Sequence, residues 1–127
     1  MEKLHRNVII ARGTKVSVDV QVGIMYEEGS GEYIAYCPAL NVSSFGESQK
    51  DAMRSIDQAI KLFVEETCEK GTFNQCLLDL GWRIMLKPIP EFRPPKITRQ
   101  VFDEFSGGEP ILKRVEHSIN FPVAAYC

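Results

Sequence analysis

The sequence predicts a small α+β domain, and three observations in its first two-thirds lead to that prediction. Residues 15–24 alternate between aliphatic and polar side chains, which is typical of a strand with one buried and one solvent-facing side. Residues 32–37 and 41–46 are two further short β-prone segments, separated by Pro38. Residues 48–69 then repeat apolar side chains at helical spacing. Three strands followed by one long helix indicate an α+β fold.

The first strand carries the strongest local pattern, because one face holds only Val16, Val18, Val20, Val22 and Ile24. Gly29 and Gly31 interrupt the pattern and predict a turn, so the next segment is expected to pair with the first strand as an antiparallel hairpin. Asp19 and Glu32 are candidates for neighbours across that hairpin. We interpret them as solvent-facing charges rather than a catalytic acid pair, because a sheet with one wet face commonly carries such charges.

Local signals also mark the ends of the helices that follow. Ser48 with Asp51 three residues later is a capping-box pattern, with Asp in place of Glu, at the start of the long helix. Gly71 is predicted to end that helix. A short helix over 73–80 follows, and residues 82–87 alternate as the fourth strand of the sheet. The predicted buried side of the long helix includes Ala52, Ile56, Ala59, Ile60 and Phe63.

The composition changes after Lys87, and six of the seven prolines lie beyond it. Residues 1–87 are therefore predicted to form the α+β domain, and residues 88–127 a proline-rich extension packed on that domain or on a dimer mate. Within the extension, residues 88–96 are predicted to be a connector outside the core. Residues 97–105 show helical spacing and residues 115–125 alternate as a late strand, which Pro122 would confine to a sheet edge.

Charge, length and cysteine usage narrow the class of protein. The chain has 127 residues, a formal net charge of -2 and a sequence pI of about 5.7, so nothing global favours nucleic-acid binding. The N-terminal segment lacks the pattern of a secretory signal, and no apolar run approaches the ~20 residues of a membrane span. The four cysteines form no CxxC pair, so we expect reduced thiols and a cytoplasmic protein.

No group of residues has the spacing of a catalytic or metal site. His5 and His117 are isolated near opposite ends of the chain, and no metal is expected. Cys37 has no neighbouring base to activate it, although the distant His117 stays open as one, so a small buried thiol is the better interpretation. Gly29-Ser30-Gly31 lacks the helix that a phosphate loop needs. We therefore expect no catalytic residue and no cofactor, and predict that the protein is not an enzyme.

One ordered set of residues points further. It is a Tyr-x-Ala-x-Cys-Pro-x-Leu stretch, a glycine, a polar helix start and an aliphatic helix face: Tyr33, Ala35, Cys37, Pro38, Leu40, Gly46, Ser48, Ala52, Ile56, Ala59 and Ile60. This set resembles the HicB family of antitoxins and their orphan relatives. The resemblance continues through Gly71-Thr72-Phe73 to Gly81-Trp82 and covers about residues 16–86.

The resemblance implies a partial, catalytically empty RNase H-like fold: a β-β-β-α-β sheet, here with a short extra helix, and the long helix on one face. It also implies a homodimer that neutralises a small, basic, RNA-cleaving toxin of the HicA type by covering it. Members often carry a C-terminal DNA-binding segment. The proline-rich residues 88–127 do not match one, so DNA binding is not expected.

The sequence therefore predicts a non-enzymatic HicB-like antitoxin that acts through protein–protein contact. The late strand around Ile119 to Val123 is the expected edge for pairing with a dimer mate or a partner strand. Two alternatives stay open. One is an orphan HicB-like protein without a toxin, and the other is a nucleic-acid-binding or nuclease module built on an RNase H-like sheet.

Overall fold

The computed structural model describes residues 8–11, 15–85 and 91–122. The elements in chain order are β1 (Val8–Ala11), β2 (Lys15–Glu27), β3 (Glu32–Cys37), β4 (Val42–Gly46), α1 (Gln49–Glu69), α2 (Phe73–Asp79), β5 (Arg83–Met85), β6 (Glu91–Arg93), α3 (Arg99–Ser106) and β7 (Ile111–Pro122). The predicted α+β class is confirmed, and the three predicted strands, β2, β3 and β4, precede the long helix in the expected order, with β1 as an additional strand before them.

The strand β2 lies at the centre of a five-stranded antiparallel sheet. The strand β7 pairs with one side of it, over residues 15–25. On the other side, β1 pairs with residues 15–18 and β3 pairs with residues 23–27, so the two shorter strands share that side end to end. The strand β4 pairs with β3. Within the described chain, β7 therefore forms one edge of the sheet, as Pro122 predicted.

The main core lies between the sheet and α1. The predicted apolar face of β2 is buried, and α1 contributes Ala52, Ile56, Ile60 and Val64 to the core. Phe121 of β7 sits among three other aromatic rings. Its ring centroid is 5.1 Å from that of Phe73, 5.3 Å from Trp82 and 5.4 Å from Phe92. Because Phe92 and Phe121 belong to residues 88–127, the extension completes the core of the domain.

The opposite face of the sheet carries a smaller cluster. Met25, Tyr36 and Phe102 are its buried members, and Phe102 comes from the short helix α3. A Cβ added to Gly23 would lie 2.5 Å from the Phe102 ring, so the absent side chain at Gly23 makes room for that ring. The remaining stretch of this face, around Asp19, is polar and partly exposed, as the alternation predicted.

Two predictions about the later segments are wrong. The strand after the helices, Arg83–Met85, is a strand, but it pairs with β6 in a separate two-stranded sheet and does not join the main one. The late strand that pairs with β2 is β7, on the side opposite β1 and β3. The connector predicted over 88–96 contains β6, whose Phe92 is fully buried in the main core. Alternation identifies a strand, but it does not say which strand will be its neighbour.

The cysteines differ from one another. Cys37 and Cys76 are free thiols, with Cys37 buried. Cys68 is disulfide-bonded, so the prediction of reduced thiols is wrong at this position. Among the described helices, none is long and apolar enough to cross a membrane.

Candidate functional site

The residues that carry the family resemblance form one continuous unit, from β3 through a turn and β4 into α1. Ala35 and Cys37 of β3 are fully buried. At the turn, the Leu40 N–H donates to the Cys37 carbonyl and the Asn41 N–H to the Pro38 carbonyl. Tyr33 packs against the main core from the end of β3 that pairs with Gly46.

The helix start in this unit depends on Gly46 and Ser48. A Cβ on Gly46 would lie 2.6 Å from the backbone nitrogen of Ala52, so a side chain there would collide with the first turn of α1. Ser48 caps the helix, since its Oγ accepts a hydrogen bond of 3.0 Å from the Asp51 N–H. The predicted cap is confirmed. Ala52 and Ile56 lie on the buried face of α1. These residues hold the fold together rather than face a ligand.

Cys37 has the environment of a structural thiol. Burial raises the pKa of Cys37 to about 11, even though backbone N–H groups of Leu40 and Ala39 lower it in part. The thiol is therefore protonated at neutral pH and a poor nucleophile. His117, the distant residue considered as its base, instead contacts Asp57.

Asp19 and Glu32 are not neighbours, so the proximity expected across the hairpin is wrong. Glu32 pairs with Glu27 at the end of β2, whereas Asp19 pairs with Ser118 of β7. Eight residues of extended strand separate Glu27 from Asp19, or about 26 Å at ~3.3 Å per residue. The Ser118 hydroxyl donates to Asp19 Oδ1. In the part of the chain that the structure describes, no three His, Cys, Asp or Glu side chains lie close enough to hold a metal ion.

The features that face outward lie around β7. This strand spans twelve residues, and β2 is its one neighbour among the described strands. One face of β7 packs toward α1 through Val115, Ile119 and Phe121. Among the described residues, no strand pairs with the backbone groups on the outer side of β7, and such an edge is where a further strand can add to a sheet.

A groove of about 530 Å³ runs between α1 and β7. Its apolar lining includes Ile60, Val64 and Ile119, and the charged residues Asp57, Lys61 and Glu65 also line it. The groove lies beside the outer edge of the sheet, since Ser118, Ile119 and Asn120 of β7 line it. Apolar surface with a few charged groups is the usual composition of a surface that binds another chain.

Asp57, His117 and Lys61 form a linked set at one end of this groove. His117 Nε2 lies 2.8 Å from Asp57 Oδ1, and Lys61 Nζ lies 3.0 Å from Asp57 Oδ2. Partial burial opposes ionisation of Asp57, but hydrogen bonds from Lys61 and His117 outweigh it and lower the pKa of the carboxyl. Sequence reasoning missed this set. Its only signal was a histidine at an inward position of the late strand, and its partner lies sixty positions away.

The comparisons with known proteins add no relative. No protein-family model, no curated protein and no solved structure matches the chain.

Proposed function

We propose that this chain is a non-enzymatic HicB-like protein that acts as a homodimer in the cytoplasm and neutralises a small RNA-cleaving toxin. The observation that carries the proposal is the ordered motif from Tyr33 to Ile56, whose residues build one compact unit of two strands, a turn and a capped helix. Nearly every motif position has a packing reason to hold its residue type.

The proposed mechanism is occlusion. An RNA-cleaving protein needs a basic surface to bind its substrate, and a chain with a net charge of -2 is electrostatically suited to cover such a surface. The groove between α1 and β7 offers the apolar lining of Ile60 and Val64 and the carboxylate of Glu65. Such a lining suits a segment that carries apolar and basic side chains.

The partial RNase H-like architecture is part of the same proposal. The meander β2-β3-β4 with α1 on one face supports it. The strand next to β2 on its other side is β7, which runs antiparallel to it, so only the first four elements of the β-β-β-α-β order support the comparison. The cytoplasm is proposed because cellular RNA is the toxin's target there. The disulfide at Cys68 is uncommon in that compartment and is the observation that weighs against it.

The test is capture from the native host with the tagged full chain. We expect a small basic protein at near-stoichiometric amount, whose ribonuclease activity the chain suppresses. Glu65→Lys, in the groove, should reduce capture at least about tenfold if electrostatic contact is made there. Glu104→Lys, the same charge change at an exposed site on α3 on the far face of the sheet, is the matched control and should leave capture unchanged. A folded homodimer that captures nothing would favour the orphan alternative.

The nuclease alternative has its own assay. Cleavage of RNA or DNA would be measured with Mg²⁺ and with Mn²⁺, for the wild type and for Asp19→Asn. We expect no metal-dependent cleavage by either protein. Cleavage that needs the metal and disappears in Asp19→Asn would contradict the non-enzymatic proposal.

A further inference from the structure

In the part of the chain that the structure describes, no strand pairs with the outer edge of β7, and this regular edge is longer than natural sheets usually leave open. Its pairing with β2 shifts between Ile24 and Met25, because Leu112 is bulged out of the register. From Lys113 to Phe121 the strand is regular. Natural sheets protect such edges with short strands, prolines or bulges, and among the described residues of β7 these devices lie at the two ends of the regular stretch, at Leu112 and Pro122.

We propose that a second copy of this chain occupies this edge, with β7 antiparallel to β7 about a two-fold axis at Val115. Regular pairs would run from Lys113 to His117 of each copy, because this axis sets Ser118 opposite the bulged Leu112, and the two five-stranded sheets would be joined over those residues. This inference rests on the homodimer of the proposed function and specifies where and in which register the copies meet.

The register follows from the charges of β7. A two-fold axis perpendicular to the sheet keeps both copies of α1 on the same side, so residues that oppose each other across the interface must share a face. An axis at Arg114 or at Glu116 would place that charged residue opposite its own copy. An axis at His117 or Ser118 would place Arg114 and Glu116 opposite neutral residues. The axis at Val115 places Arg114 opposite Glu116 of the second copy, and it does so twice.

The two charged side chains lie on the correct face for this pairing. Val115 packs toward the main core, so Arg114 and Glu116 lie on the opposite face of the strand. Arg114 is held there, because its Nη2 donates to Gln21 Oε1 at 2.6 Å and its guanidinium lies 5.0 Å from the centre of the Phe102 ring. These contacts hold the guanidinium over β2 in the single chain, so in the dimer the side chain would turn toward the outer edge, where Glu116 of the second copy lies directly opposite Arg114. Directly opposed unlike charges stabilise antiparallel pairs.

The same register completes the groove. It sets Lys113 of the second copy opposite His117, which contacts Asp57 at the end of the groove. The surface offered to a third protein would then contain a residue from each copy. In the single chain this end of the groove lacks that lysine.

A cysteine scan along β7 tests the register directly. Single variants Val115→Cys, His117→Cys and Ser118→Cys are made in the full chain with Cys76→Ser, and are treated with a mild oxidant. Directly opposed residues in antiparallel strands have Cα atoms about 4.5–5.5 Å apart, which a disulfide can bridge. We expect a covalent dimer from Val115→Cys and little from Ser118→Cys, its matched control. Predominant cross-linking at His117→Cys or Ser118→Cys, or at none of the three, would overturn the register.

A charge swap tests the same contact without a new covalent bond. Arg114→Glu and Glu116→Arg should each weaken the dimer about tenfold in sedimentation equilibrium, and the double swap should restore it. If Arg114→Glu weakened the dimer only because it breaks the contact with Gln21, the dimer of the double swap would be as weak as that of Arg114→Glu. That result would overturn the proposal. A wild-type chain that is monomeric yet captures a toxin would also overturn it, while the proposed function would stand. A dimer with its axis at Val115 that captures no protein would support this inference and contradict the proposed neutralisation of a toxin.

Discussion

The two faces of the sheet differ in how much of the chain builds them. On the α1 face, the alternating valines of β2, the buried stripe of α1 and the aromatic cluster around Phe121 form one large core. On the other face, a cluster around Phe102 covers one end of the sheet, and the rest is open to solvent, with polar side chains around Asp19 and the exposed ring of Phe45. The first face is packed by side chains from many elements, whereas the second is packed by one eight-residue helix that lies over Gly23. Substitutions should therefore have different consequences on the two faces.

The largest expected effect comes from Phe121→Ala on the α1 face. Phe121 is fully buried among Phe73, Trp82 and Phe92. Removing its ring would leave a cavity, and we expect the free energy of unfolding to fall by about 3–5 kcal/mol in urea denaturation. Since Phe121 belongs to the extension, this result would also show that the extension is part of the domain's folding unit.

Phe45→Ala is the matched control, because it removes the same ring from a side chain that is 61% exposed. We expect a change within about 0.5 kcal/mol. If both variants lost a similar amount of stability, the division of the sheet into a structural face and an open face would be wrong.

The sequence predicted the α1 face well up to Gly81 because the signals there are local. The valine alternation, the Ser48 cap and Gly71 each act over a few residues, and each is present as predicted: Gly71 has a positive φ of 70°, and Ser48 binds the Asp51 N–H. Cys37, interpreted from the sequence as a small buried thiol, is fully buried. Interactions between residues that are close in sequence can be predicted from a single sequence.

The later segments were predicted less well because their placement depends on distant partners. Phe92 follows Pro90 in a proline-rich stretch, where its burial against Phe73 and Phe121 leaves no periodic signal. The same holds at the candidate site. The pairing of β7 with β2 and the contact of His117 with Asp57 join residues far apart in sequence, and no periodicity encodes them.

A smaller effect is expected from Gly23→Ala on the α3 face. The added Cβ would lie 2.5 Å from the ring of Phe102, so the ring and α3 must shift. We expect a loss of about 1–3 kcal/mol in the free energy of unfolding. Gly29→Ala is the control, because a Cβ there meets nothing within 4 Å, and it should be nearly neutral.

The cause of the Gly23→Ala effect can be isolated with a double variant. If the collision with Phe102 is responsible, Gly23→Ala should cost much less in a Phe102→Ala background, where the ring is absent. If Gly23→Ala lowered the free energy of unfolding equally in both backgrounds, Gly23 would be needed for its backbone conformation and not for the room it leaves for the Phe102 ring of α3.

The smallest effect concerns Asp57, which joins α1 to β7 at the border of the main core and should reveal itself through pH. Hydrogen bonds from Lys61 and His117 lower the pKa of Asp57, so the folded state favours the carboxylate. A lowered carboxyl pKa contributes stability above the unfolded pKa, about 3.9, and loses that contribution as the pH falls through the folded value. At pH 5, Asp57→Asn should reduce the free energy of unfolding by about 0.5–1.5 kcal/mol. The gap to the wild type should narrow as the pH falls to about 3.

Asp103→Asn is the control for Asp57→Asn, because Asp103 is an exposed carboxyl on α3 whose ion pair with Arg99 is 3.9 Å long. Such a pair contributes little, so we expect a change below about 0.5 kcal/mol at either pH. If the Asp57→Asn deficit were the same at pH 5 and pH 3, the loss would come from packing of the side chain and not from its charge. A deficit that narrows on acidification would instead identify the Asp57 carboxylate as an electrostatic link between α1 and the edge strand, on the side of the groove where a partner is proposed to bind.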